Sequence, residues 1–287
     1  MNRTEIGVIG GSGFCQMETI KNAGTVSIST PFGNPSSDIL AGEISGRRVA
    51  FLSRHGIGHT LNPSEVNYRA NLFALKRLGV ERLISVAAVG SLREDLKPAH
   101  LVIPDQFFDN THKREKTFFT SGIVAHVSMA EPTCPQMSGL AGRTAVGMGL
   151  NVHEGGVYLN MEGPQFSTMA ESLLYRRLEF SVIGMTLAVE SKLARELEMC
   201  FLPLSFVTDY DCWHQDEASV SVELVIDNLK KNAKNAEQLI TDLVAAIPPE
   251  RAECSCASTL ENAIITDRKK IPQPVYKQLE PILKKYF

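Results

Sequence analysis

Two carboxylates stand two residues apart in Thr208-Asp209-Tyr210-Asp211, directly after the apolar run 201–207. On an extended segment residues i and i+2 project from one face. Repulsion and burial can keep one such carboxyl protonated near neutrality, making it a donor for a leaving nitrogen. Taken alone, the same four residues also read as an Asp-rich turn. Arg54-His55-Gly56 follows the apolar run 48–52. This puts a planar guanidinium, shaped for phosphate, at the carboxyl end of a strand, where α/β sheets bind ligands. His55 and His59 have the i, i+4 spacing of a helical metal pair, but Gly56 and Gly58 argue against a helix and no H-E-x-x-H glutamate intervenes, so no metal is assigned. Gly10-Gly11-Ser12-Gly13 follows the run 6–9, where a tight turn aims backbone N–H groups and one hydroxyl at an anion. The last glycine of a dinucleotide fingerprint is missing. Ala87-Ala88-Val89-Gly90-Ser91 ends a third apolar run with small residues, as suits close approach of backbone to a ligand. Met161-Glu162-Gly163-Pro164-Gln165-Phe166-Ser167 sets a carboxylate and an aromatic ring beside a Gly-Pro turn.

These groups need elements to carry them. Short apolar runs bounded by turn residues mark strands at 6–9, 39–42, 48–52, 82–87, 101–103, 156–161, 182–185 and 201–207, several buried on both faces. A first helix is expected after Asn62-Pro63-Ser64-Glu65, with Asn62 as cap and Glu65 at the capping-box position, ending near Gly79. A second spans 187–199, with Val189, Leu193 and Leu197 on its core face. The longest carries Val222, Val225, Ile226, Leu229, Ala233, Ala236, Leu239 and Leu243 and stops at Pro248-Pro249. Strands alternating with amphipathic helices, with no linker before residue 245, predict one continuous α/β unit over 1–250, a central twisted sheet flanked by helices. Residues 251–287 form a Lys-rich helical tail, part of that domain or a subunit contact.

Composition narrows the function classes. In 287 residues, 29 basic against 32 acidic residues give a net charge of -3 with no long block of either sign, which argues against nucleic acid as the main partner. No apolar run approaches the ~18 residues of a membrane span, and the N-terminus has no long apolar segment followed by a cleavage site. A cytoplasmic protein is expected. Its six cysteines are too sparse for a secreted disulfide framework. Only Cys254-Ser255-Cys256 has a notable spacing, and C-x-C lacks the second ligand pair of a zinc ribbon.

Jointly these motifs, with Pro31-Phe32-Gly33-Asn34-Pro35-Ser36, His59-Thr60, Gly90-Ser91-Leu92-Arg93, Asp105-Gln106-Phe107 and Cys212-Trp213, resemble the purine nucleoside phosphorylase superfamily, and more closely its methylthioadenosine phosphorylase branch. The resemblance runs from about residue 5 to residue 246 and is weak over the last forty. It implies attack of inorganic phosphate, a co-substrate, on C1′ of 5′-methylthioadenosine, with no metal or organic cofactor. Carried over by position, Ser12, Arg54, His55, the backbone N–H of Ala88, and Thr186 surround phosphate. Met185 and Glu162 meet the ribose, Phe166 covers the purine, and Asp209, assisted by Asp211, protonates N7. His59 and Ser167 join the substrate site, and Val222 and Val225 stand beside an apolar 5′ substituent. His126 matches a family histidine supplied by the neighbouring subunit, which implies a homotrimer or a hexamer of two trimers. The 6-oxopurine enzymes have Glu and Asn where this chain has Ser167 and Asp209, so 6-aminopurines are expected. Ala87 stands where the branch often has a phosphate-binding threonine. The resemblance also admits a Cys134–Cys200 disulfide. A phosphorylase of another purine nucleoside (methylthioinosine, adenosine or inosine) is the nearer alternative, a catalytically weak nucleoside-binding protein the alternative of a different class, and a hydrolase a weaker third.

Overall fold

The computed structural model describes residues 4–14, 17–214, 222–251 and 254–287, with side chains of the long helix described from Asp227 onward. In chain order the strands are β1 (Ile6–Gly10), β2 (Lys21–Val26), β3 (Ile39–Ile44), β4 (Arg47–Ser53), β5 (Arg82–Ser91), β6 (Leu101–Ile103), β7 (Gln106–Asn110), β8 (Val152–Glu154), β9 (Val157–Met161), β10 (Val182–Gly184) and β11 (Cys200–Tyr210). They form one mixed sheet in the order β2-β3-β4-β1-β5-β10-β9-β7, with β11 on β5, β6 on β11 and β8 on β6. At its centre β4, β1, β5 and β11 run parallel. Their residues are buried almost throughout, which is why these strands read as unbroken apolar runs. Because they are parallel, Gly10, Ser53, Ser91 and Tyr210 end at one edge of the sheet.

The helices are α1 (Tyr68–Leu78), α2 (Pro135–Gly147), α3 (Met169–Arg177), α4 (Leu187–Glu196), α5 (Val222–Ala246) and two short ones in the tail, α6 (Gln273–Gln278) and α7 (Glu280–Leu283). The helix α1 starts later than its sequence signature predicts. Asn62 and Glu65 do make the reciprocal capping bonds, but on an isolated turn, and Asn67 caps the helix by accepting from Ala70 N at 3.1 Å. Gly79 ends it, as predicted, and takes the left-handed conformation. The tail is packed: Leu260, Ala263, Ile271, Leu279, Ile282 and Leu283 are buried in the same apolar cluster as Leu72 and Phe73 of α1 and Leu193 of α4.

Candidate active site

A cavity of about 580 Å³ opens where the central parallel strands end. Every element at that edge contributes: Ser12 from the turn after β1, Arg54 and His55 after β4, Ala87 to Gly90 from β5, Met161 from β9, Met185 and Thr186 after β10, and Asp209 and Asp211 from the end of β11. This is the crevice in which open α/β sheets bind ligands.

Arg54 is 1% exposed and held from several sides. Its Nε and Nη2 donate to Glu190 at 2.5 and 3.1 Å, Nη2 also to Ser85 Oγ at 2.7 Å, and Nη1 to the carbonyl of Val86 at 3.0 Å. A guanidinium has five N–H groups. Four are engaged inside the protein, and the second on Nη1 stands outside these bonds. The buried carboxylate of Glu190 keeps the guanidinium fully charged against the opposing effect of burial. Gly11 makes room for it, since a Cβ there would meet Nη1 and lie 2.8 Å from the Val86 carbonyl.

The His55 ring lies 2.9 Å from the carbonyl of Leu61 through Nδ1, which fixes the proton on that nitrogen and leaves Nε2 as an acceptor. Burial first, and then the Arg54 charge, lower its pKa to about 4, so the ring is neutral at physiological pH. His59 stacks on it with ring centres 4.4 Å apart.

On the far side of the β5 end, the β5/β11 register passes from Val207↔Val89 to Asp209↔Gly90, so Thr208 is the extra residue of a bulge that re-aims Asp209. The Thr208 hydroxyl has one proton for two acceptors, Asp209 Oδ2 at 2.5 Å and the Val89 carbonyl at 3.2 Å. Asp211 lies just beyond the strand and is buried. Desolvation raises its pKa, and its Oδ2 has no hydrogen-bond partner among the described residues.

A family model described as "Phosphorylase superfamily" matches residues 5–245. The chain belongs to this superfamily. It is 49% identical over 285 residues to an S-methyl-5'-thioadenosine phosphorylase from Koribacter versatilis (strain Ellin345), with 99% of this chain and 97% of the relative covered. One from Chloroflexus aurantiacus is 50% identical and covered end to end. Among solved structures, a methylthioadenosine phosphorylase from an Antarctic soil metagenomic library superposes with a TM-score of 0.94 at 47% identity, covering 99% of this chain and 100% of that one. A mutant adenosine/methylthioadenosine phosphorylase from Schistosoma mansoni, in complex with methylthioadenosine, gives 0.82 at 34% identity over 87% of this chain and 93% of the other. The match to these phosphorylases includes the tail, beyond the reach of the motifs.

Of the residues that the superfamily resemblance places at the site, Ser12, Arg54, His55, His59, Ala88, Thr186, Met185, Phe166, Asp209 and Asp211 all line the cavity. Phe166 does so from the rim, 82% exposed in the single chain. Glu162 is engaged elsewhere. Its carboxylate accepts from Ser64 Oγ at 2.8 Å, from the backbone N–H of His112 and Lys113 and from Arg114 Nε at 3.2 Å. These contacts hold its pKa near 2 against the desolvation that would raise it. Ser167 Oγ donates to Met161 Sδ at 3.7 Å, and Ser167 is not among the residues that line the cavity. His126 is exposed and outside its own chain's cavity, its N–H bonded to the Ala263 carbonyl at 2.8 Å. The side chains of Val222 and Val225 lie outside the described residues. Leu229 of the same helix lines the cavity.

Sequence reasoning missed Arg114 and Glu190 as parts of this phosphorylase site. Arg114 is buried, donating to the carbonyls of Glu162 and Met185 and to Tyr68 Oη, so it ties the end of β9 to the end of β10. It stands in His112-Lys113-Arg114-Glu115-Lys116, which reads as a solvated charge run. Glu190 is hidden in an apolar helical stripe, and its one signal is a charge among core positions.

Proposed function

We propose that this enzyme is a pentosyltransferase that cleaves S-methyl-5'-thioadenosine with inorganic phosphate, giving adenine and 5-methylthioribose 1-phosphate. The observation that carries the reading is one cavity with anion-binding groups at the β1 and β4 ends and a pair of carboxyls at the β11 end, separated by the small residues of β5. A phosphate oxygen forms the new bond to C1′ as the C1′–N9 bond breaks, and the bonding pair leaves with the purine. Ser12, Thr186, the Ala88 N–H and the remaining Arg54 N–H hold the phosphate beside the oxocarbenium-like centre. Neutral His55, with Nε2 as acceptor, takes a hydrogen bond from a protonated phosphate oxygen. Asp209 delivers its proton to N7, and Asp211 supports it. Met185 faces the ribose from the cavity lining, and Glu162, whose carboxylate accepts from Ser64, Arg114 and the backbone N–H groups of His112 and Lys113, braces the segment beside it. The atoms balance with phosphate as the co-substrate, and each step of this reading is assigned to a side chain or a backbone N–H of the chain.

The 5′ substituent is apolar in this reading, with Leu229 on the α5 wall supporting a methylthio group over a free hydroxyl. The active form is a homotrimer or a pair of trimers in the cytoplasm, with His126 completing a neighbour's site. The exposed position of His126 supports this arrangement. Among the described residues no helix is long and apolar enough to cross a membrane.

Adenine release from methylthioadenosine, followed at varied phosphate, tests the reaction. Saturable dependence on phosphate is expected. Release without phosphate would make the protein a hydrolase, and binding without release would make it the nucleoside-binding protein that Ala87 brings to mind.

A further inference from the structure

Four cysteines from three separate stretches of the sequence meet at the opposite end of β11 from the cavity. Cys200 opens that strand, Cys134 precedes the first residue of α2, and Cys254 and Cys256 come from the tail. All four are free thiols, and their sulfur atoms lie within 4.8 Å of one another, Cys200 and Cys254 at 3.5 Å. Tetrahedral zinc bound by thiolates at about 2.3 Å sets the sulfurs about 3.8 Å apart. The quartet has that size. The C-x-C pair, set aside in the sequence for want of a second ligand pair, finds it in Cys134 and Cys200.

The surroundings suit a tetrathiolate. A divalent ion with four thiolates leaves two negative charges, and two guanidiniums stand against the sulfurs: Arg251 Nε donates to Cys200 Sγ at 3.3 Å and Arg195 Nη1 to Cys256 Sγ at 3.8 Å. Each is oriented by the backbone, Arg251 by the Glu198 carbonyl at 2.8 Å and Arg195 by that of Ser128 at 3.4 Å. Such outer groups orient and tune ligands. The donor set is all sulfur, which selects soft or borderline ions over magnesium or calcium. A hollow of about 400 Å³ lined by Cys134, Cys200 and Arg251 gives an ion a way in.

We propose that Cys134, Cys200, Cys254 and Cys256 form a closed structural zinc site that fastens the C-terminal tail to the sheet and to α2. At roughly 3.3 Å per residue along β11, the site is about 30 Å from Asp209 and takes no part in the reaction.

The test uses the full chain purified reduced and without chelator. Elemental analysis is expected to find one zinc per chain, released by a thiol-directed mercurial. Replacing it with cobalt(II) is expected to give sulfur-to-cobalt charge-transfer bands and the visible bands of a tetrahedral tetrathiolate. The double variant Cys254→Ser/Cys256→Ser is expected to lose the metal. Should it fail to fold, Arg251→Ala keeps all four ligands and is expected to weaken zinc about tenfold or more. Reduced wild-type protein that gives no tetrathiolate cobalt spectrum would overturn the site. So would disulfides among these four cysteines in protein alkylated at lysis.

Discussion

Asp209 is the candidate acid for N7, and the Thr208 hydroxyl that donates to its Oδ2 at 2.5 Å fixes the orientation of its carboxyl group. Asp209→Asn is expected to lower kcat/KM for methylthioadenosine by about 10²–10⁴, the usual worth of a general acid. The amide can donate to O6, so the preference for methylthioadenosine over methylthioinosine should shrink. An unchanged ratio would remove Asp209 from base recognition. Arg54 needs a different design, because its ion pair with Glu190 is buried. Arg54→Ala leaves an uncompensated carboxylate and is expected to cost about 3–5 kcal/mol of stability as well as raising the phosphate KM. Adding Glu190→Gln should restore part of the melting temperature but none of the phosphate affinity, which separates the two roles. His55 sets a pH dependence. Its folded pKa of about 4 is below the ordinary 6.5, so below pH 6.5 the unfolded chain binds a proton that the fold refuses. The stability from this group is full above 6.5 and is lost as pH falls towards 4. On the scale of 1.36 kcal/mol per pKa unit, it amounts to a few kcal/mol. His55→Gln should flatten the unfolding profile in that window, as urea titrations at several pH values would show.

At the scale of elements, legibility follows burial. The strands β1, β4, β5 and β11 are covered on both faces and carry apolar runs, so their ends, and with them Ser12, Arg54, Ala88 and Asp209, could be placed from sequence. The strand β2 is exposed along most of its length and carries no apolar run. The short strands β7 and β8 lack one too, with half-buried or exposed residues. The helix α2 was hidden by Gly139, Gly142 and Gly147, residues of poor helix propensity that packing overrides. What the sequence could not carry is the aim of long side chains: Arg114 turns inward out of a charged run, and Phe166 outward from an apolar motif. The turn after β1 makes a testable case, because its glycine clears the space in which Arg54 lies. Gly11→Ala is expected to displace the guanidinium and raise the phosphate KM without touching substrate itself, while the KM for methylthioadenosine changes little. A crystal structure with Arg54 unmoved, or an unchanged phosphate KM, would show that the neighbours yield instead.

At the scale of the whole molecule, the single chain leaves its site open on one side. Phe166 stands at the rim, and along α3 and just past it the large apolar side chains of Met169, Leu173, Leu174 and Leu178 are exposed. Large apolar side chains grouped on a surface commonly mark a partner's seat. A neighbour seated there would cover Phe166, turning a ring exposed in the isolated chain into a wall of the base pocket. It would also explain why His126 is outside its own chain's cavity, since a residue that serves a neighbour has to be presented outward. Association would then be a condition of turnover. Leu174→Glu combined with Leu178→Glu places two like charges on that surface and is expected to shift the protein to monomers in sedimentation velocity. Methylthioadenosine turnover should fall at least tenfold, with the stability of the chain itself little altered, because both leucines are on the surface. Turnover in the wild type should also decline on dilution as the assembly dissociates, at the same protein concentrations at which scattering reports smaller particles. A charged variant that sediments as a monomer and keeps full turnover would show that one chain builds a complete site, and would remove His126 from it.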